Sequence, residues 1–460
     1  MSSSLPCLLL RLWLGCFWSL SHQAAPSIKD AGVRVGTAAV ELVADDAMVI
    51  AGGIHAGQAK GQEGLLRAVA MVLEKDKTKV VMVSLDVLMM TRHVLDPILA
   101  DIQKECGISP EQVMIHCTHT HHAPSTLRLH DYQADPRFIA RVHRATVQAV
   151  QQANAALSED SLEAFFSLGR EETVGRNSRQ MLTDGSIYWI GRREFVRPTG
   201  PFDSQLPVMG FRSKGSARDP APWKALWFNH STHTIGTLRA GVRSPSFYGL
   251  AAQQLEADLG AHVLFLEGAS GSTHNLDLSC QEATHRMVNA VQDALNAMQP
   301  APMQRLAAIK RSFTYRVRYF NEASEHQAVS DYCTQWVGPY GRQVIPVFKA
   351  MRDELAPYQG EERETWIQAL LLGDVAMVAV PAEFFTQLGL DIKERSPFKK
   401  TFVAELSNDW IGYLPDLEAH RLGGYQVWTG YHSYCEPGTG ERMVDEVLQL
   451  LEMLKQSELP

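Results

Sequence analysis

Two short apolar runs in this chain break off into histidines, and this pattern restricts the fold more than any other feature. Val113-Met114-Ile115 leads into Thr118-His119-Thr120-His121-His122-Ala123-Pro124, and Ala225-Leu226-Trp227-Phe228 leads into Asn229-His230-Ser231-Thr232-His233. The chain has 17 histidines in 460 residues, and three of them fall within four positions of the first segment. Short apolar runs bounded by polar turns read as buried strands. Open α/β sheets place their ligand sites outside the carboxyl ends of strands, so two such ends carrying imidazole point to one shared site. In an extended strand His119 and His121 face one side with Val113, Ile115 and Cys117, while His116 faces the other. Two imidazoles at a strand exit suit a metal ligand and a proton-transferring neighbour. A polar strand end with solvated histidines fits the local spacing equally well.

The rest of the chain alternates in the same way. Residues 80–85 read as a buried strand, 94–105 as a helix, and Ser109-Pro110-Glu111 as a capped turn into the 113 strand. Residues 136–157 repeat apolar positions at three- and four-residue steps, the helical period. A strand at 225–228, a helix at 247–259, a strand at 262–266 and a helix at 281–298 follow. Gly373-Asp374 turns a hairpin within 370–377, and 443–454 reads as a closing amphipathic helix. The fold class is α/β, with mixed β-sheets and flanking helices. Arg192–Ser216, rich in Pro, Gly and Arg, reads as a long loop, either a lid over the site or a surface insertion. A catalytic metal set needs a further donor, and Val378-Ala379-Val380-Pro381-Ala382-Glu383-Phe384 offers a carboxylate at a third strand end. Glu383 is expected in the first turn of the next helix, where a negative charge is favoured in any case. Asp86, after another strand, suits either a cap or a partner that orients a ligand histidine.

Composition narrows the function classes. Apolar residues make up 45% and charged residues 20%, as in globular enzymes, and the net charge of −8 without basic clusters argues against nucleic acid. No stretch after residue 30 has the ~18 apolar residues of a membrane span. Residues 1–25 read as a signal peptide, apolar from Leu5 to Leu20 apart from Arg11, which implies a secreted or periplasmic protein. Cys106, Cys117, Cys280, Cys333 and Cys435 remain beyond it, odd in number and without a CxxC pair, so a disulfide scaffold is not expected.

Together these segments resemble the neutral/alkaline, non-lysosomal ceramidases, zinc amidases that cleave the N-acyl bond of ceramide. Thr118-His119-Thr120-His121-His122-Ala123-Pro124 resembles the family's THTHSGP, and His230-Ser231-Thr232 its second-ligand motif. Val380-Pro381-Ala382-Glu383-Phe384 is similar to VPGEF. Ser407-Asn408-Asp409-Trp410-Ile411-Gly412-Tyr413 is similar to the segment that ends in the family's zinc-bound tyrosine. Phe265-Leu266-Glu267-Gly268-Ala269-Ser270-Gly271 resembles a glycine-rich strand exit. The likeness runs in matching order from about residue 36 to the C-terminus.

The resemblance implies a ceramidase-like catalytic domain over 30–460, of the divergent kind found in bacteria, without the C-terminal β-sandwich domain. It implies Zn²⁺ held by His119, His230, Glu383 and Tyr413, with His121 as general base. The His-x-Thr match favours His230 over His233 as the second ligand. The family's oxyanion arginine is displaced here within Gly175-Arg176-Asn177-Ser178-Arg179. Arg179 or Arg176 takes that role, and Asn177 is expected at the substrate. The family's head-group serine is replaced by His274, which makes ceramide itself a doubtful substrate and a smaller N-acyl compound the expected one. A zinc hydrolase of another amide or ester, and a carbohydrate- or lipid-binding protein that keeps the fold without the metal, are the remaining readings.

Overall fold

The computed structural model describes residues 32–189, 195–215, 221–275 and 278–457. The signal-peptide segment at 1–25 lies outside them. Three sheets meet face to face on one core. The first has the strand order Arg34–Glu41, Arg67–Lys75, Thr78–Leu85, Val113–Cys117. The second runs His262–Glu267, Trp223–His230, Gln205–Arg212, Glu163–Arg170, Gln299–Pro300, and the third Leu306–Arg316, Glu362–Leu372, Val375–Ala379, Lys400–Ala404. Met71, Met82 and Met114 of the first, Phe211, Trp227 and Leu264 of the second, and Leu370, Met377 and Phe402 of the third form a single apolar cluster.

Each sheet turns its other face to helices. Ile98 and Leu99 of the helix Arg92–Cys106 and Val142 and Val150 of Pro136–Ala155 cover the first sheet. Ser246–Leu259 and Cys280–Asn296 cover the second, and Thr386–Arg395, Gly341–Leu355 and Thr439–Gln456 the third. The expected helices and strands stand where their periodicity put them. Among the described residues no helix is long and apolar enough to cross a membrane, and the five cysteines are free thiols.

Every sheet also contains one parallel pair. Leu85 stands opposite Cys117, His230 opposite Glu267, and Ala379 opposite Ala404. Parallel strands emit their chains at the same end, so three pairs deliver six loops to one region between the sheets. Two expectations fail here. The supposed loop Arg192–Ser216 contains the strand Gln205–Arg212, whose Leu206, Val208, Met209 and Phe211 are all buried in mid-sheet; residues 192–194 and 216 lie outside the described ones. Pro207, with no N–H to contribute, is in register with Leu168 on one side only, and pairing with Trp223–His230 begins at Val208. Glu383 does not begin a helix. It lies in a two-residue strand, Glu383–Phe384, paired in parallel with Tyr413–Leu414, and the helix starts only at Thr386.

Candidate metal centre

The strand Val113–Cys117 sends Val113, Ile115 and Cys117 into the helix-facing core. The strand ends there. His119 takes a left-handed backbone, φ 59°, so the run of alternating faces stops before the histidines. His119 and His121 therefore meet through a turn, not along a strand as expected, with Nε2 atoms 3.3 Å apart. His233, three residues beyond the end of Trp223–His230, comes in from the second sheet, and one ring nitrogen from each of the three histidines lies within 4.8 Å of the others. Glu383 Oε2 stands 3.5 Å from His119 Nε2 and 3.4 Å from His233 Nε2. Tyr413, in register with Glu383, places its hydroxyl 3.1 Å from His233 Nε2.

The tautomers follow from the backbone. Nδ1 of His119 lies 3.0 Å from the Leu88 carbonyl, Nδ1 of His121 3.1 Å from Gly52, and Nδ1 of His233 3.0 Å from Ser270. A carbonyl only accepts, so each Nδ1 carries the proton and each Nε2 presents a lone pair to the common centre. Three lone pairs and a carboxylate facing one another repel unless a cation lies between them. A donor set of imidazole, carboxylate and phenol suits a divalent transition ion. The cluster could therefore hold a metal. Burial and the neighbouring His119 hold His121 and His233 below the usual histidine range. Burial alone would raise Glu383, and positive charge on His119 and His233 would pull it well below the usual carboxylate range, so an ionised Glu383 calls for a cation or a proton at this centre. Burial, reinforced by Glu383, keeps the Tyr413 phenol protonated.

The surroundings orient these groups. Trp410 Nε1 donates to Glu383 Oε1 at 3.2 Å, a partner that the sequence reading passed over although it lies in a quoted motif. Gly52, at φ 101°, leaves room for His121: a Cβ there would stand 2.6 Å from its Nδ1. Asp86 accepts from Arg67 N and from the hydroxyl of Thr118, beside His119. His274 lies flat on His233, ring centroids 4.0 Å apart, and its buried Nδ1 has no partner. Trp189 meets the His274 ring edge-on and stacks on Tyr425 at 3.9 Å.

Three residues expected at the site are engaged elsewhere in the structure. His230 is not at this centre. It shares a face with Leu226 and Phe228 and turns into the helix-covered core. There its Nε2 donates to the Glu171 carbonyl at 3.0 Å and Nδ1 accepts from the Tyr248 hydroxyl at 2.5 Å, so neither nitrogen is left for a metal. Arg179 is buried with its guanidinium donating to the carbonyls of Ala419 and Gly423 and to Gln426, over the Phe385 ring. Asn177 donates to Pro201 O and accepts from Arg179 N, so its amide holds the loops together. Arg176 faces His274 in the short bridge between 176–177 and 273–274.

No protein-family model matches the sequence, and no curated protein does. The structure does find relatives. It superposes on a crystal structure of neutral ceramidase from Pseudomonas aeruginosa with a TM-score of 0.69 at 17% identity, covering 92% of this chain and 75% of that one. The fold is that of a ceramidase. A second structure, a ceramidase complexed with C2, gives a TM-score of 0.71 at 16% identity over 93% of this chain and 76% of the other. The ceramidase likeness thus extends well beyond the short motifs.

Proposed function

We propose that this ceramidase-fold chain is a zinc-dependent hydrolase that cleaves an N-acyl bond. One observation carries the reading: Nε2 lone pairs of His119, His121 and His233 converge with the Glu383 carboxylate, with every Nδ1 committed to a backbone carbonyl. His119, His233, Glu383 and Tyr413 would hold the ion. Glu383 touches both His119 and His233, and both imidazoles are fully buried. A divalent ion there supplies Lewis acidity to a scissile carbonyl and acidifies water.

His121 has the other role. It is the partly exposed member of the three, and its Nδ1–H is fixed on Gly52 O. Its Nε2 is free to take a proton from the attacking water and to return it to the leaving nitrogen. His274 lies against His233 with a bare Nδ1, so a substrate polar group finds a partner there. An imidazole at this point fills more space than a small hydroxyl and reads a different group. A pocket built around one hydrogen-bonding partner discriminates by up to ~10⁴–10⁵-fold when the partner changes. We therefore expect weak turnover of long-chain ceramide and better turnover of a smaller N-acyl amine.

The test is metal analysis followed by a panel of ceramide, short N-acyl amines and matched esters at equal metal occupancy. About one zinc per chain and metal-dependent amide hydrolysis are expected. Protein that is purified without a transition metal and takes none up would refute the metal reading. Ceramide turned over well above all other substrates would refute the substrate reading alone.

A further inference from the structure

Behind His233 and Glu383 lies an acid pair that the proposed chemistry does not use. Glu267 ends the strand His262–Glu267, Glu405 directly follows Lys400–Ala404, and both are fully buried. The Ser270 hydroxyl lies between them, 2.9 Å from Glu267 Oε1 and 2.6 Å from Glu405 Oε1. A hydroxyl has one proton and can donate to only one carboxylate. The other acid must donate to the hydroxyl and therefore carries a proton itself.

The remaining contacts tell the two acids apart. Glu405 Oε2 accepts from Ser270 N at 2.9 Å and Phe384 N at 2.8 Å, so with the hydroxyl it receives three donors, as an ionised carboxylate does. Glu267 Oε2 is buried with no partner. Among the described residues no basic side chain acts on either acid. His116 accepts from Glu267 N through Nε2 and donates through Nδ1 to Glu405 O, both at 2.8 Å, so its ring is neutral. Two adjacent ionised carboxylates without a counter-charge are strongly disfavoured. Burial pushes both acids well above the usual range, reinforced at Glu267 by Glu405 and at Glu405 by Glu383, while the donors from Ser270 and Phe384 pull Glu405 back.

We propose that Glu267 and Glu405 share one proton, held on Glu267, and that ionised Glu405 is a positioning residue for the metal centre. Glu405 joins the segments bearing the two groups that matter most. Through Phe384 N it fixes the strand of Glu383. Through Ser270 it fixes the carbonyl that holds the Nδ1–H of His233. A single acceptor thus sets the spacing between carboxylate and imidazole. The positioning half rests on the metal reading given above; the shared proton does not.

The experiment pairs infrared difference spectra with zinc titrations of purified protein. Wild type should show the carbonyl stretch of a buried protonated carboxyl. Glu267→Gln, an isostere of the protonated acid, should lose that band and bind zinc within about threefold of wild type, whereas Glu405→Gln should keep the band and bind about 10-fold more weakly. Glutamine at 405 can accept the two N–H groups through its one oxygen but offers the Ser270 hydroxyl a donor where it needs an acceptor, so the Ser270 contact is disturbed. Absence of the band in wild type, or its survival in Glu267→Gln, overturns the shared proton as assigned. Wild-type zinc affinity in Glu405→Gln overturns the positioning role. If wild type binds no zinc but shows the band and loses it in Glu267→Gln, the metal reading and the positioning role fall while the proton assignment stands.

Discussion

His230 and His233 stand three residues apart and are both fully buried, yet one is tied up in the core and the other opens onto the candidate metal site. The strand's alternation sends His230 to the side of Leu226 and Phe228, among helices, while His233 lies past the strand's end where the chain is free to turn. His233→Ala should therefore lose most of the bound zinc. His230→Ala should keep zinc stoichiometry but lose ~1–3 kcal/mol of stability, because the Tyr248 hydroxyl and Glu171 carbonyl are left unpaired. Metal content and urea unfolding of the two variants decide between them, and zinc retained only in His233→Ala would reverse the assignment. His121→Ala separates base from ligand: turnover should fall on the order of 10²–10⁴-fold, the usual scale for a general base, at unchanged zinc content. Zinc lost together with activity would make His121 a ligand. The motif order in the chain made His119, His121, Glu383 and Tyr413 legible as candidates. It favoured His230 over His233 on the His-x-Thr match, whereas the structure brings His233 to the cluster, because that choice depends on which face of the strand meets the helices.

At the scale of elements, the centre depends on loops that leave three parallel pairs and then press on one another. Gly271, in the loop after His262–Glu267, lies so close to the strand Glu383–Phe384 that a Cβ would stand 2.4 Å from the Glu383 carbonyl oxygen. The contact is backbone on backbone and cannot be relieved by a rotamer change. Gly271→Ala should shift the Glu383 strand against Tyr413 and weaken zinc binding by about 10-fold, the scale of losing a ligand's supporting contact. Isothermal titration with zinc measures this, and wild-type affinity would mean that the loop yields instead. The sequence shows a glycine here but not its neighbour, because Gly271 and Glu383 are 112 positions apart in the chain. The hairpin at Gly373-Asp374 is the opposite case: its strands are adjacent in sequence, Gly373 adopts φ 65°, and the turn was readable directly.

For the whole molecule, buried histidines dominate the response to acid. Burial pushes His116, His420 and His432 down to about 3 and His130 to about 4. Their unfolded value is 6.5, so the unfolded chain takes up protons first as pH falls. Their contribution is whole above pH 6.5 and is lost below it, each group costing about 1.4 kcal/mol per pH unit. Asp86 and Asp409, raised by burial to about 6, act in the opposite sense, losing stability as pH rises from 3.8 to 6. Burial likewise depresses His121, His122, His233 and His274 and raises Glu267 and Glu405; the histidines outnumber the acids, so the urea midpoint of chelator-treated protein should fall steadily from pH 7 to pH 5. A midpoint that holds or rises over that interval would contradict the balance. The sequence by itself determined the alternation of strands and helices, the strand ends that carry the chemistry, and the order of the ceramidase-like motifs. These are local properties, written in periodicities of two and 3.6 residues and in residue type. Only the tertiary structure decided that His233 and not His230 joins the histidine cluster, that Arg179 is committed to carbonyls, that Gln205–Arg212 is a mid-sheet strand, and that two acids share a hydroxyl behind the site. Each of these depends on which surfaces of distant segments meet, and no single segment carries that information.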